Sequence, residues 1–185
     1  MGRLNDISLA TQVAVFGNKR AFDQLVRQYQ SPMRRFFLSQ TLGDEMLSDD
    51  LAQDTFLKAY THISQYRGTS SLLTWLTRIA YNVWYDHCRK EKGMAKSERL
   101  DSAEGMAAAN AQLSALNSQL KTDLYAALAQ LKEEERTCIT LQLVDGYAID
   151  EIADIMKMPM NTVKSHLKRG KDKMADYLRK NGYDR

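Results

Sequence analysis

The side chains of this sequence that most clearly could carry binding chemistry lie near its C-terminus. Polar and basic residues recur at helical spacing between Asn161 and Lys171. Asparagine, lysine and serine can hydrogen-bond to base edges in the major groove, while lysine and arginine hold phosphates. The outward side of this run predicts a DNA-contacting surface made of Asn161, Lys164, Ser165, Lys168 and Arg169.

Two predicted helices position that surface, one over 149–157 and one over about 161–180. Pro159 stops the first helix, and Ala153 is the small residue needed where two helices cross closely. Ile152, Ile155, Val163 and Leu167 are the expected buried residues. The pattern predicts a helix-turn-helix whose second helix offers free N–H groups to a phosphate. The two candidate N-caps of that helix are Asn161 and Thr162.

The charge pattern agrees with this prediction. The overall net charge is only +3, but 157–180 carries eight bases and two acids. Just upstream, Asp145, Asp150, Glu151 and Asp154 form an acidic stretch without a base. A phosphate-facing surface with a solvated back has this polarity. A plain solvated helix face can carry the same charges, so charge alone does not decide between the two.

The composition predicts an all-α protein. Only 9 Gly and 2 Pro occur in 185 residues, too few for the turns of an all-β chain. Apolar periodicity predicts one helical domain over 1–92 and another over 122–185. The segment 93–121 is rich in Ala, Ser, Asn and Gln and is predicted to be a flexible linker. The expected architecture is therefore two small helical domains joined by a flexible linker.

Local signals also predict where the N-terminal helices begin and bend. Asn18 is expected to cap a helix, and Pro32 is expected to bend or break that helix. Ser48 is expected to cap a helix over 49–65, in which Tyr60 belongs to the buried stripe.

No enzyme chemistry is indicated. The three histidines, His62, His87 and His166, are scattered, and no nucleophile–base pair, phosphate loop or metal cluster accompanies them. We therefore expect no catalytic residue, no metal and no cofactor. No apolar run reaches the length of a membrane span and no signal peptide is evident. Together with two widely separated cysteines, this predicts a cytoplasmic protein without membrane insertion.

Two sets of motifs resemble extracytoplasmic-function (ECF) sigma factors, group 4 of the sigma-70 family of RNA polymerase sigma factors. The resemblance to sigma region 4 lies in residues 143–147, 151–153 and 162–165. The resemblance to sigma region 2 lies in Ala21-Phe22 with Tyr29, and in residues 50–60, 66–68 and 74–82. The resemblance implies a region 2 helical bundle followed by a region 4 helix-turn-helix. It also implies a factor that directs transcription initiation at chosen promoters.

The resemblance implies three partners. These are promoter DNA, the RNA polymerase core through its β′ clamp helices and β flap, and an anti-sigma factor. Core binding is expected on one helix face that carries acidic and polar residues with an apolar edge. That face consists of Asp50, Gln53, Asp54 and Leu57.

Region 2 is expected to open the −10 element. A flipped base needs small polar groups to read its edge and an aromatic wall beside it. The loop Tyr66, Arg67, Gly68, Thr69, Ser70 and Ser71 offers both, and Arg78 and Asn82 are expected to contact the same strand. Trp75 either stacks on DNA or belongs to the core, and core is the commoner place for a tryptophan at helical spacing.

Region 4 is expected to read the −35 element. The residues expected to contact it are Asn161, Thr162, Lys164, Ser165, His166, Lys168, Arg169 and Lys171. Departures from the family pattern are Asn161 where Gly is often found, His166 where Arg is common and Gly170 where Ala is common.

The main alternative is a helix-turn-helix response regulator without sigma activity. That class needs an upstream α/β domain, and 1–92 shows no strand alternation. An anti-sigma or adaptor protein is a further alternative, but it would lack the base-reading loop and the basic helix.

Overall fold

The computed structural model describes residues 3–97 and 115–183, which contain helices and no strand. Within the predicted linker (93–121), residues 98–114 lie outside the described residues. The helices are α1 (Arg3–Phe16), α2 (Lys19–Gln40), α3 (Glu45–His62, continued by a 3-10 turn, Ile63–Gln65), α4 (Leu72–Ser97), α5 (Ala115–Ala129), α6 (Glu133–Ile139, continued by a π turn, Thr140–Val144), α7 (Ile149–Met156) and α8 (Met160–Lys180).

Helices α1 to α4 form the N-terminal bundle. The apolar stripe of α2 lies at its centre, where Met33, Phe36 and Phe37 are almost fully buried. The helix continues through Pro32 from Lys19 to Gln40, so of the bend or break expected there the break does not occur. Burial of the stripe on both sides of the proline outweighs the loss of one backbone hydrogen bond.

The starts of α2 and α3 test the predicted caps. Asn18 is confirmed, since its side chain accepts from the N–H groups of Arg20 and Ala21. The prediction that Ser48 is the N-cap was wrong, because α3 begins one turn earlier with Asp44 as its N-cap. The Asp44 carboxylate accepts from Leu47 N–H at 3.0 Å, while Ser48 is fully buried inside the helix. Aspartate is as favourable an N-cap as serine. Asp44 comes before Ser48 in the chain, so the helix begins at Asp44 and includes Ser48.

Helices α5 to α8 form the C-terminal domain. Ile152, Ile155, Val163 and Leu167 are all buried, as predicted for the helix-turn-helix. The capping prediction for α8 was wrong: Pro159 is its N-cap, and its carbonyl accepts from Thr162 and Val163 N–H. Pro159 has extended backbone angles, so the helix begins directly after it and places Asn161 and Thr162 within the first turn.

The two halves pack against each other around Gln40, the last residue of α2. Gln40 is 1% exposed. Arg136 donates from Nη1 to the Gln40 carbonyl at 2.7 Å, and Thr137 donates to Gln40 Oε1 at 3.0 Å. Gln40 Nε2 donates in turn to the Thr140 hydroxyl at 3.3 Å. One amide side chain and its backbone carbonyl therefore bond to three residues of the C-terminal domain.

A second contact joins α4 to α7 and the loop before it. Arg78 on α4 pairs with Asp154 on α7, and the hydroxyl groups of Thr77 and Tyr147 lie 3.0 Å apart. An additional ion pair joins Arg35 to Asp145 at 3.3 Å. We call this packing of the two halves the closed arrangement; nothing in the sequence pattern had predicted it.

Candidate nucleic-acid and polymerase interfaces

Helix α8 presents its polar residues on the side opposite its buried ones. Val163, Leu167 and Gly170 face the core. The residues predicted to contact the −35 element lie away from that core: Asn161, Lys164, Ser165, Lys168, Arg169 and Lys171 are exposed, and Thr162 and His166 are half-buried. The helix therefore offers a continuous polar surface with the donors and acceptors that base edges and phosphates require.

Ser165 and Arg169 are among the residues of this surface that have partners within the domain. Ser165 Oγ donates to the Asn161 carbonyl at 2.9 Å, which leaves the serine oxygen as an acceptor. Arg169 donates from Nε to Glu135 Oε1 at 3.2 Å. Glu135 was absent from the predicted site because it sits in a run of three glutamates that looks like a solvated helix start.

Glu135 is an ionised carboxylate inside the domain. Burial by itself would raise its pKa, but hydrogen bonds from Lys173 and from Lys132 N–H, with the charges of Lys173 and Arg169, bring the pKa below its ordinary value. The Lys173 bond is 2.7 Å long. The basic face of α8 is therefore tied to α6 by a negative charge at neutral pH.

The loop between α3 and α4 is held in one shape. Gly68 has a positive φ of 70°, and a Cβ there would lie 3.2 Å from Ile7 on α1. Tyr66 donates its hydroxyl to the Ser70 carbonyl at 3.0 Å. Ser71 accepts from Thr74 N–H at 3.0 Å, as an N-cap of α4 does. The loop predicted to receive a flipped base is thus fixed by its own residues and by α1.

Trp75 lies between the two predicted possibilities. Its side chain is half-buried against the core, and its ring centroid is 5.7 Å from that of Tyr66, with a tilt of 52°. Tyr66 and Trp75 therefore form one aromatic wall beside the loop. Arg67 and Asn82 are exposed, whereas Arg78 is paired with Asp154.

The predicted polymerase-binding face of α3 is exposed along its length. Asp50, Gln53 and Asp54 are exposed, and Leu57 keeps 60% of its surface accessible. Beside them lies an apolar groove of about 300 Å³ between α2 and α3. Its lining residues are Lys19, Phe22, Asp23, Gln53, Phe56, Leu57 and Tyr60.

The groove contains a residue that the sequence analysis assigned wrongly. Tyr60 was expected in the buried stripe of α3, but it is 37% exposed. Its ring packs edge-on against Phe22 with centroids 4.9 Å apart. An aromatic residue at helical spacing can reach sideways to a neighbouring helix, so spacing alone did not show that Tyr60 lines a surface groove.

The two thiols are not reactive groups. Burial raises the pKa of Cys88 and that of Cys138 to about 12, so both are protonated at neutral pH. Within 3–97 and 115–183, no three His, Cys, Asp or Glu residues are grouped to hold a metal ion. No helix in these same ranges is long and apolar enough to cross a membrane.

These features define a class: an all-helical protein with an N-terminal bundle and a C-terminal helix-turn-helix whose second helix carries a polar, basic surface. Comparison with known proteins agrees. The family model of Sigma-70 region 2 matches residues 25–93, and that of Sigma-70, region 4 matches residues 121–174.

Curated relatives extend the likeness over most of the chain. The RNA polymerase sigma-H factor of Pseudomonas aeruginosa is 31% identical over 165 residues, 84% of this chain and 85% of the relative. The ECF RNA polymerase sigma-E factor of Haemophilus influenzae is 28% identical over 185 residues, 95% of this chain and 96% of the relative.

A solved structure agrees as well. The sigma factor RpoE in complex with the anti-sigma factor NepR, from Bartonella quintana, is 26% identical with a TM-score of 0.73, over 85% of this chain and 96% of that one. The chain belongs to the ECF group of the sigma-70 family of RNA polymerase sigma factors.

Proposed function

We propose that this sigma factor engages a promoter at two points while core RNA polymerase holds both of its domains. The N-terminal bundle, as region 2, opens the −10 element, and the C-terminal domain, as region 4, reads the −35 element. The observation that carries this proposal is the exposed polar surface of α8, directly opposite Val163 and Leu167. Polymerase supplies the fixed spacing that lets two weak contacts act together.

The −35 contact is assigned to α8 because its chemistry suits the major groove. Asn161, Ser165 and Lys168 lie on its outermost side and offer both donors and acceptors. Lys164 and Lys171, on a flank of the helix, are placed to hold phosphates. Thr162 and His166 lie on the other flank, nearer to α6.

The −10 contact is assigned to the loop 66–71 and the adjoining face of α4. The Tyr66–Trp75 wall offers a stacking surface for an unpaired base, and Ser70 and Ser71 lie beside it. Arg67, Arg78 and Asn82 are proposed to follow the backbone of the opened strand.

Core polymerase is proposed to bind α3 through the exposed acidic side chains and the neighbouring groove. Asp50 and Asp54 favour a basic partner helix, and Leu57 with Tyr60 gives that partner an apolar contact. The anchoring side chain would fill the groove, which is where binding energy concentrates at protein interfaces.

The closed arrangement must open for both DNA contacts to form. Elements at −35 and −10 are separated by about 25 base pairs, or roughly 85 Å of B-form DNA. Here α7 touches α4, so the two reading surfaces lie within one compact unit. Opening also frees Arg78 from Asp154. Polymerase would therefore bind the chain with its domains apart.

The proposed sigma function also suggests an inhibitory partner for this chain and the compartment in which it acts. The RpoE structure from Bartonella quintana holds that protein with an anti-sigma factor. We propose an anti-sigma factor for this chain too, one that binds the closed arrangement more tightly than the open one. The protein would act in the cytoplasm, where polymerase is found, and without enzymatic activity of its own.

The deciding experiment is transcription by purified core polymerase with and without this chain, on a library of promoter sequences. We expect transcripts only with the chain, and only from promoters that share two elements. Lys164→Ala with Lys168→Ala should reduce −35-dependent transcription while binding to core polymerase is kept. Lys121→Ala with Lys180→Ala is the control, because it removes the same charge from exposed sites elsewhere.

Two results would contradict the proposal. DNA binding without any stimulation of core polymerase would favour a response regulator and contradict the proposal. Loss of core binding in the Lys164/Lys168 variant would contradict the assignment of separate tasks to the two domains.

A further inference from the structure

A buried acid lies behind the DNA-facing surface of α8. The Glu135 side chain is 2% exposed, and both of its oxygens are used. Oε1 accepts from Arg169 Nε at 3.2 Å, and Oε2 accepts from Lys173 Nζ at 2.7 Å and from Lys132 N–H at 3.2 Å. Bonds from the N-cap residue of α6 and from two turns of α8 thus fix the position of this carboxylate.

The carboxylate in turn fixes Arg169. A guanidinium is planar, so a bond at Nε sets the plane in which its terminal nitrogens lie. Arg169 Nη2 also donates to His166 Nδ1 at 3.2 Å. The side chain nevertheless keeps 55% of its surface exposed. Of its five N–H donors, three have no part in these two bonds.

We propose that Glu135 is a positioning residue of the −35 reader, holding Arg169 so that Nη1 and Nη2 meet O6 and N7 of one guanine. The inference rests on the proposed function of α8. A fork of two donors matches the paired acceptors that only guanine presents in the major groove. Holding the fork before binding avoids most of the rotamer entropy that a free arginine would lose.

His166 completes the arrangement. Arginine is only a donor, so Nδ1 of His166 is the acceptor in this bond. His166 therefore acts as a second support for the guanidinium. The three residues form one chain of bonds, Glu135 to Arg169 to His166, across the flank of α8.

A base is favoured over a phosphate as the ligand of Arg169 because of the charge balance. The ionised Glu135, whose negative charge Arg169 shares with Lys173, lies against the guanidinium and offsets part of its attraction for a phosphate. This partial neutralisation leaves the free N–H donors of Arg169 able to form hydrogen bonds. The acceptor atoms of a base carry no full charge, so a hydrogen bond to them depends less on the charge of the guanidinium.

The test measures sequence preference with the complete factor. Holoenzyme made with Glu135→Gln is compared with wild type on promoters randomised across the −35 element. We expect the preference for guanine at one position to fall about tenfold, within the usual range for one bidentate contact. Arg169→Lys keeps a cation near Glu135 but loses the fork, so it should lose the same preference. The double variant should lose no more than either single one.

Lys173→Ala is the matched control. It removes the other ion pair of the same carboxylate and leaves the Arg169 bond intact, so the guanine preference should stay. Thermal unfolding of each variant shows whether folding has changed.

Three outcomes would overturn the inference: an unchanged preference in Glu135→Gln, an unchanged preference in Arg169→Lys, or an equal loss for every sequence, as a phosphate contact or a purely structural role would give. Failure of the proposed function itself looks different, because the Lys164/Lys168 variant would then keep its −35-dependent transcription.

Discussion

Arg78 and Asp154 form an ion pair between the two domains, with Arg78 Nη2 2.5 Å from Asp154 Oδ2. Arg78 belongs to the proposed −10 surface of α4, and Asp154 lies on the first helix of the helix-turn-helix. The pair thus joins the surface that should receive the opened strand to the domain that should read duplex DNA far upstream. One residue cannot serve the closed arrangement and the promoter at the same time.

Removing the acid should favour opening. Asp154→Ala deletes the partner of Arg78, and an exposed ion pair of this kind contributes about 0.2 to 1 kcal/mol, a shift of up to about fivefold in population. Small-angle scattering of the free protein should show a larger radius of gyration. Asp150→Ala is the control, since Asp150 is exposed on the same helix. Equal radii in the two variants would show that the ion pair does not hold the domains together.

Gln40 should contribute more than the ion pair because its bonds are buried. Gln40→Ala leaves Thr140 without the amide donor and opens a cavity between the halves. We expect a loss of about 1 to 3 kcal/mol in the free energy of unfolding, measured in urea. Gln130→Ala, at an exposed glutamine directly after α5, should change it by less than about 0.5 kcal/mol. A similar small effect at Gln40 would contradict the structural role assigned to it.

Asp145 should make stability depend on pH. Burial raises the pKa of its carboxyl, and Arg35 offsets this only in part. The ionised form therefore costs stability, so Asp145→Asn should raise the free energy of unfolding at pH 7. The gain should vanish below the ordinary aspartate range, where the wild-type carboxyl is neutral in both states. Asp150→Asn is the control for the same chemical change at an exposed site. A gain at Asp145 that is independent of pH would contradict the explanation.

Leu57 should anchor core polymerase. Leu57→Ser removes an exposed apolar side chain from the rim of the groove, which should weaken core binding about five- to thirtyfold without loss of stability. Fluorescence anisotropy of labelled factor titrated with core polymerase measures the effect. Val15→Ser on α1 makes a similar change at another exposed site and should leave binding unchanged. Equal affinities for the two variants would place the docking surface elsewhere.

Gly170 should resist replacement by the alanine common in the family. Alanine favours a helix by up to about 1 kcal/mol. A Cβ there, however, would lie 2.8 Å from Ile139 Cγ1, so α6 and α8 must move apart. We expect Gly170→Ala to lower the free energy of unfolding by about 1 to 2 kcal/mol. In an Ile139→Ala background the same change should cost less, and an equal cost in both backgrounds would rule out the clash.

Much of the architecture follows from sequence spacing. Apolar residues three and four apart predicted the helices and the buried side of the helix-turn-helix, from Ile152 to Leu167. The same spacing placed Asp50, Gln53, Asp54 and Leu57 on one exposed face. These features could be predicted because a helix repeats every 3.6 residues, so local order reveals which side is buried.

The contacts between distant residues were decided by the tertiary structure alone. Glu135 reads as one of three solvated acids, yet it is buried against Arg169, 34 positions away. Gln40 reads as the polar end of a helix, yet its partners lie about 100 positions away. Helical spacing reports which side of a helix is buried but not what covers it. The sequence by itself determined two helical domains and a polar, basic helix that is predicted to read DNA. The three-dimensional packing decided that the domains close on each other and that a buried acid holds the arginine of that helix. The reason is that a buried charge or amide is tolerated only where a specific partner meets it.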